Sequence, residues 1–228
     1  MIEQEKQVVS RRRVADHGEV YTHRREVRAM LDLVKQETER IDSRFLEPAC
    51  GTGNFLVEIL ERKLRIVEKK YRKSQLDYER NAMLATSSIY GVELLEDNVR
   101  KCRDRLFYIC DEQYSSLFQN KTKKNYREVI KFVLSKNIIW GDALTLKTVS
   151  DNPQPIVFSE WIIVMGSKVK RRDFIFHELF PRDKSKRPSL FDNPKEPLVS
   201  DLGNDVFVPE PTKDYPLTHY MRIPDAGI

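Results

Sequence analysis

Apolar positions recur along this chain with two periods. Between Arg24 and Ile41, Val27, Met30, Leu31 and Val34 fall on one side of a helical wheel, which predicts a helix with that side inward. From Phe55 onward, Leu56, Ile59, Leu60, Leu64, Val67 and Tyr71 continue a helical stripe, and a second helical run follows from Ser74 to Ala85. Short strand-like runs separate these helices: Phe45 to Glu47, Ser88 to Glu93, and Asn137 to Trp140. A fourth, Pro155 to Val164, is apolar apart from Ser159-Glu160-Trp161, and predicts a core strand with a local bulge at that interruption. The alternation of strands and helices predicts an α/β domain.

The first strand leads into Pro48-Ala49-Cys50-Gly51-Thr52-Gly53-Asn54 and then into the helix that begins at Phe55. Gly51 and Gly53 tolerate positive φ and allow a ligand to lie directly on the main chain. A dinucleotide fingerprint would need a third glycine at position 56, which is Leu56, and no Walker-type lysine follows. A pyrophosphate ligand is therefore disfavoured, and a nicotinamide oxidoreductase is a distant reading. Glu47, just before the turn, would repel phosphate and attract an amino group or a sulfonium cation. S-adenosylmethionine fits that balance.

Two more acids stand at strand ends. Glu93 closes the second strand, where a carboxylate can accept both ribose hydroxyls. It follows Gly53 by 40 positions rather than the roughly 20 of a minimal dinucleotide unit, so an extra helix is expected between them. Asp142 closes the third strand and is suited to accept the exocyclic amine of adenine. In an open α/β sheet the ligand lies beyond the carboxyl ends of the strands, and Glu47, Glu93 and Asp142 are all expected there.

From about Asp16 to Leu146 the chain resembles the gamma-group N6-adenine DNA methyltransferases of restriction-modification systems. Gly18-Glu19-Val20-Tyr21-Thr22 resembles the segment that closes the methionine side of the cofactor pocket in that family, with His23 where a proline is usual. Phe45 to Asn54 resembles the cofactor loop, Gly91-Val92-Glu93 the ribose-binding strand end, and Gly141-Asp142-Ala143-Leu144 the adenine-amino site. The resemblance implies a Rossmann-like S-adenosylmethionine-dependent methyltransferase fold with a mainly parallel sheet. It places the cofactor against Tyr21, Thr22, Glu47, Pro48, Ala49, Cys50, Gly51, Thr52, Gly53, Asn54, Phe55, Glu93, Leu94, Asp142, Ala143 and Leu144.

The chain departs from that family at the catalytic tetrapeptide, Asn or Asp, Pro, Pro, Tyr or Phe, which occurs nowhere in it. Asp151-Asn152-Pro153-Gln154 and Asp192-Asn193-Pro194-Lys195 are the nearest approaches, each with one proline and no aromatic residue. The catalytic residues are thus unassigned. Ser159-Glu160-Trp161 is an alternative edge, with Trp161 as a stacking platform. The distal strands have no clear counterpart, so the expected fold is abbreviated after the fourth strand or completed by another chain. A rival to the enzyme is a catalytically incomplete cofactor- or DNA-binding subunit, either a degenerate paralogue or half of a split enzyme.

Composition adds partners and boundaries. The chain has 228 residues and a net charge of +5. Met165 to Leu190 alone holds eight Lys or Arg against three acids. Lys168, Lys170, Arg171 and Arg172 are the candidate nucleic-acid contacts, while Phe174, Phe176 and Phe180 serve either base stacking or a core face. The expected organisation is an N-terminal helical segment over 1–43, a cofactor-binding core over 44–164, and a basic, Pro-rich C-terminal segment over 165–228. DNA is the expected partner, together with a second methyltransferase or a specificity or restriction subunit. Three scattered cysteines suggest no disulfide framework, and no run approaches a membrane span, so the expected location is cytoplasmic. The spacing of Cys, His and Asp gives no metal site.

Overall fold

The computed structural model describes residues 11–17, 20, 22–179 and 209–225. Helix α1 (Arg11–His17) is followed by α2 (Arg24–Asp32) and the single turn α3 (Lys35–Thr38). The expected helix over Arg24 to Ile41 is thus broken. At Leu33 and Val34 the amides bond to Met30 and Leu31, three residues back instead of four, and the helical register is lost. Val27 and Leu31 are buried as the spacing requires, whereas Met30 and Val34 point outward and are exposed.

Strand β1 (Phe45–Glu47) leads through the Gly-Thr-Gly turn to α4 (Asn54–Tyr71) and then α5 (Gln75–Ser87). Ser74 caps α5 by accepting from the Asp77 amide at 3.3 Å, the side-chain capping that sets a helix start. Strand β2 (Ile89–Glu93), long α6 (Glu96–Phe118), α7 (Lys124–Asn137) and β3 (Ile138–Asp142) follow, and β4 (Lys147–Thr148) turns back on β3. The inserted helix required by the Gly53 to Glu93 spacing is α5.

Strands β1, β2 and β3 pair in parallel in that order, and β4 closes one edge antiparallel. The result is a mixed α/β architecture with a mostly parallel four-stranded sheet, which fits a methyltransferase-like fold. Ile89 and Gly91 of β2 face α4 and the main core, which includes Leu56, Leu60, Leu106 and Val129. Tyr90 and Val92, on the opposite face, meet Ile156, Phe158 and Phe176. At the far edge, among the described residues, β1 pairs only with β2, and its Leu46 is 42% exposed.

The fourth apolar run does form a strand, β5 (Val157–Met165), but it enters a second sheet. It makes an antiparallel hairpin with β6 (Lys168–Ile175), to which β7 (Lys213–Asp214) and β8 (Thr218–His219) add. This hairpin spans residues on both sides of position 164. The register shift lies between Ile163 and Met165, not at Ser159-Glu160-Trp161. Trp161 is 4% exposed and packs edge-on against Phe132 of α7, with ring centroids 6.0 Å apart. It is a core residue of the hairpin.

Two buried polar residues tie the layers together. Glu79 of α5, wholly buried, accepts from Tyr114 at 2.5 Å, Tyr220 at 2.6 Å, and Gln75 and Lys123 at 2.9 Å. Lys63 of α4, also wholly buried, donates to Ser88 Oγ at 2.5 Å, to Ile41 O at 3.3 Å and to Ser43 O. It thereby joins the approaches to β1 and β2.

Burial pulls the Lys63 ammonium down to about 7, whereas an unfolded lysine titrates near about 10.4. Between those values the unfolded chain binds more protons, so stability rises with pH across that window by up to about 1.4 kcal/mol per unit. Below about 7 the full cost of the buried charge is present. Urea unfolding at several pH values from 7 to 10 is expected to show this rise, and Lys63→Met to flatten it; parallel profiles for the two proteins would refute the assignment.

Candidate functional site

The site is built at the carboxyl ends of β1 and β2. The chain leaves β1 at Glu47 and crosses over the tip of β2, where the Cys50 amide donates to Val92 O at 3.0 Å. It then turns sharply, with Gly51 at φ 53° and Gly53 at φ 88°. The Gly53 amide closes this turn on Cys50 O at 2.8 Å, and Gly53 serves as the N-cap of α4.

Glu93 stands directly against the turn. Its Oε2 accepts from the Gly51 amide at 2.8 Å, and its Oε1 accepts from the Leu95 amide at 2.9 Å and from Asn98 Nδ2 at 3.5 Å. The structure therefore brings Glu93 and the Gly51-Thr52-Gly53 turn together. Asp142 lies one strand further along. Its carboxylate accepts from the Leu144 amide at 2.8 Å and the Thr145 hydroxyl at 3.1 Å, so it also shapes its own loop. Between these two acids, Trp140 Nε1 donates to Leu94 O at 3.0 Å and ties β3 to the segment after β2. Burial raises the pKa of Glu47, and the Ala49 amide opposes that shift.

Close packing explains the glycines better than mobility does. A Cβ on Gly53 would come within 2.6 Å of Cys102 Sγ, and one on Gly91 within 2.9 Å of Cys50 Sγ and 3.0 Å of Leu56 Cδ1. The two sulfurs thus fill the space beneath the turn. Hydrogen bonding with Cys102, together with burial, pushes the Cys50 thiol far above its ordinary value, which makes it a packing group and not a nucleophile.

Around this centre, Pro48, Ala49, Leu94 and Leu144 are exposed, while Thr52, Asn54, Phe55 and Ala143 are half-buried. Thr22 is reached through its carbonyl, which accepts from Asn54 Nδ2 at 3.1 Å. Gly18, Glu19 and Tyr21 lie outside the described residues, as does Asp192-Asn193-Pro194-Lys195. Asp151-Asn152-Pro153-Gln154 is described and forms the exposed bend between β4 and β5. A groove of about 510 Å³ lies behind the turn, lined by α2, α4 and α6 residues including Arg24, Asn54, Glu61, Arg105 and Tyr108.

The candidate nucleic-acid contacts are on β6, in the other sheet. Lys168 is exposed, Lys170 pairs with Asp214 at 2.5 Å, and Arg172 pairs with Glu160 at 2.5 Å. Arg171 is buried, bonded to Asp173 at 2.8 and 2.9 Å, with its guanidinium carbon 4.2 Å from the centre of the Tyr215 ring. Phe174 and Phe176 are buried, and Phe180 falls outside the described residues.

Residues that no motif or spacing singles out also meet at the site. Arg105 of α6 bonds to Thr52 and Asn54, and Arg13 of α1 grips Asp97 at 2.9 and 3.1 Å and Asn98 at 3.3 Å. The hydrogen bond from Arg13 holds the Asp97 carboxyl down to about 2. No periodicity or motif separates Arg105 from its helical neighbours Arg100 and Arg103, because its partners are about fifty residues away. Among the described residues, no cluster of three or more His, Cys, Asp or Glu is arranged to hold a metal ion, and no helix is long and apolar enough to cross a membrane.

The packing under the turn has a measurable consequence. Gly53→Ala is expected to lower stability by about 1–3 kcal/mol through backbone strain alone, with the 2.6 Å approach to Cys102 Sγ adding to it. In a urea-unfolding double-mutant cycle, Cys102→Ala should recover part of that loss; strict additivity would show that the sulfur does not press on the turn.

The sequence model of the family described as MmeI, DNA-methyltransferase domain, matches residues 21–166, more than half of the 228-residue chain. No curated protein and no solved structure matches it significantly. The matched span begins just before Thr22 and takes in β1, the Gly-Thr-Gly turn, the tips of β2 and β3, and the whole of β5. The chain therefore belongs to the MmeI DNA-methyltransferase domain family, a DNA methyltransferase of the restriction-modification type.

Proposed function

We propose that the chain binds S-adenosylmethionine at the strand tips and transfers its methyl group to the N6 amine of adenine in DNA. The observation that carries this reading is the bond from the Gly51 amide to Glu93 Oε2 at 2.8 Å. It fixes a carboxylate directly beside a turn at which backbone lies open to a ligand. A carboxylate has about four acceptor sites, so Oε2 keeps a second lone pair for a ribose hydroxyl.

In this reading, Tyr21, Thr22 and Glu47 through Phe55 hold the methionine end, Glu93 and Leu94 the ribose, and Asp142, Ala143 and Leu144 the adenine. Raised by burial, the pKa of Glu47 would be drawn back by a nearby sulfonium or ammonium, so binding and ionisation favour each other. The transfer itself asks little of acids and bases. When bound, S-adenosylmethionine would supply an activated methyl group: the amine would take the methyl carbon as sulfur left with the electron pair of the carbon–sulfur bond, and would give up a proton to solvent. Alignment supplies the rate, and an adenine in duplex DNA has to leave the base stack first. Phosphate contact falls to β6, where Lys168 has its charge free for solvent or DNA.

The second reading is a catalytically incomplete subunit that retains the cofactor fold and acts with a second methyltransferase, specificity or restriction subunit. Two observations favour it: the sequence lacks the Asn/Asp-Pro-Pro-Tyr/Phe tetrapeptide, and among the described residues β1 has a strand on one side only.

Calorimetry with S-adenosylmethionine is expected to show binding that Gly51→Val and Asp142→Ala each weaken by about tenfold or more, the cost of roughly one charged hydrogen bond. Undiminished affinity in both variants would remove the cofactor assignment. Transfer of labelled methyl to DNA by the purified chain alone would reject the incomplete-subunit reading, and transfer only after a partner is added would establish it.

A further inference from the structure

We propose that Arg105 is a positioning residue: it holds the Gly51-Thr52-Gly53 turn in its ligand-ready shape and couples that turn to the chain at Thr22. One guanidinium nitrogen, Nη1, lies 2.7 Å from Thr52 O, 3.1 Å from Thr52 Oγ1 and 2.8 Å from Asn54 Oδ1. Through its other amide atom, Asn54 donates to Thr22 O at 3.1 Å. A single side chain on α6 therefore reaches the middle of the turn and the first residue of α4, and through Asn54 is linked to the segment that precedes the sheet.

The turn needs such an anchor. Gly51 and Gly53, both at positive φ, carry no side chain that could hold the bend from within, and inside the turn the Gly53 amide bonds to Cys50 O. The Thr52 carbonyl makes its bond to Arg105. Arg105 is half-buried and is not among the buried residues Val99, Cys102, Leu106 and Cys110 that seat α6 on the core. Loss of the guanidinium should therefore loosen the turn and leave the helix in place. All of these contacts come from one nitrogen, so a lysine ammonium could make them only by holding its flexible stem where the rigid guanidinium places Nη1; it should restore only part of the effect.

The binding readout rests on the cofactor reading above; the exchange readout does not. In hydrogen exchange on the full chain, Arg105→Ala is expected to speed exchange of the amides of residues 51–54 and of Thr22 and His23, while α6 amides and the unfolding midpoint stay close to wild type. S-adenosylmethionine affinity should fall by about tenfold or more, with Arg105→Lys intermediate. Should Arg105→Ala fail to fold, Asn54→Ala tests the same relay: Thr22 and His23 should exchange faster and residues 51–52 much less so. Unchanged exchange over 51–54 in Arg105→Ala, or loosening of the whole of α6 with a lowered midpoint, overturns the proposal whatever the ligand result. Faster local exchange in a chain whose wild type does not bind S-adenosylmethionine would uphold Arg105 as the turn's anchor and remove the cofactor instead.

Discussion

The bond from the Gly51 amide to the Glu93 carboxylate is the joint on which this structure turns. It connects a bend after β1 to the tip of β2, 42 residues later, and is reinforced when the next amides of both segments bond inward, Cys50 to Val92 O and Leu95 to Glu93 Oε1. A carboxylate that accepts two main-chain amides gives charge-assisted bonds to groups that would otherwise be left unpaired at the ends of strands. Because the acid is 8% exposed, these bonds act in a medium of low dielectric constant, where they gain strength.

Around that joint the packing is tight enough to dictate residue type. Cys102 excludes any side chain at position 53, and Cys50 with Leu56 excludes one at position 91. Strand β1 has three residues and, among the described residues, one sheet neighbour, too little to fix itself by ladder bonds. It is held instead by what surrounds it: Lys63 below, gripping the carbonyls that lead into it, and the turn above, gripped from β2 and α6. The helices in turn share the Glu79 network, into which Tyr220 reaches from far along the chain.

The basic segment after residue 165 shows how composition can mislead about a surface. Its cations at Lys170, Arg171 and Arg172 meet Asp214, Asp173 and Glu160 within the second sheet. Two of these pairs cross to neighbouring strands and the third, Arg171 with Asp173, lies along β6 itself, and Phe174 and Phe176 beside them are buried. The surplus that reaches solvent at the described part of the hairpin is correspondingly smaller than the count along the sequence suggests.

How much of this was legible beforehand follows from the range of the interactions. Local pattern was enough to reveal the α/β alternation, the strand tips at Glu47, Glu93 and Asp142, the inserted α5 and the sharp turn at Gly51 and Gly53, because periodicity and glycine conformation are local properties of a chain. It did not determine the break in the helix at Leu33, since a stripe of apolar residues says which face is inward but not whether the backbone bonds stay in register. Nor did it determine where β5 would pair. An apolar strand carries no mark of its neighbour, and here Ser159, Trp161, Arg171 and Asp173 found one another across a hairpin on the helical layer. Arg105 and Arg13 became part of the site only through folding, for their partners are remote in sequence and a solvated arginine on a helix looks the same as one that holds a turn.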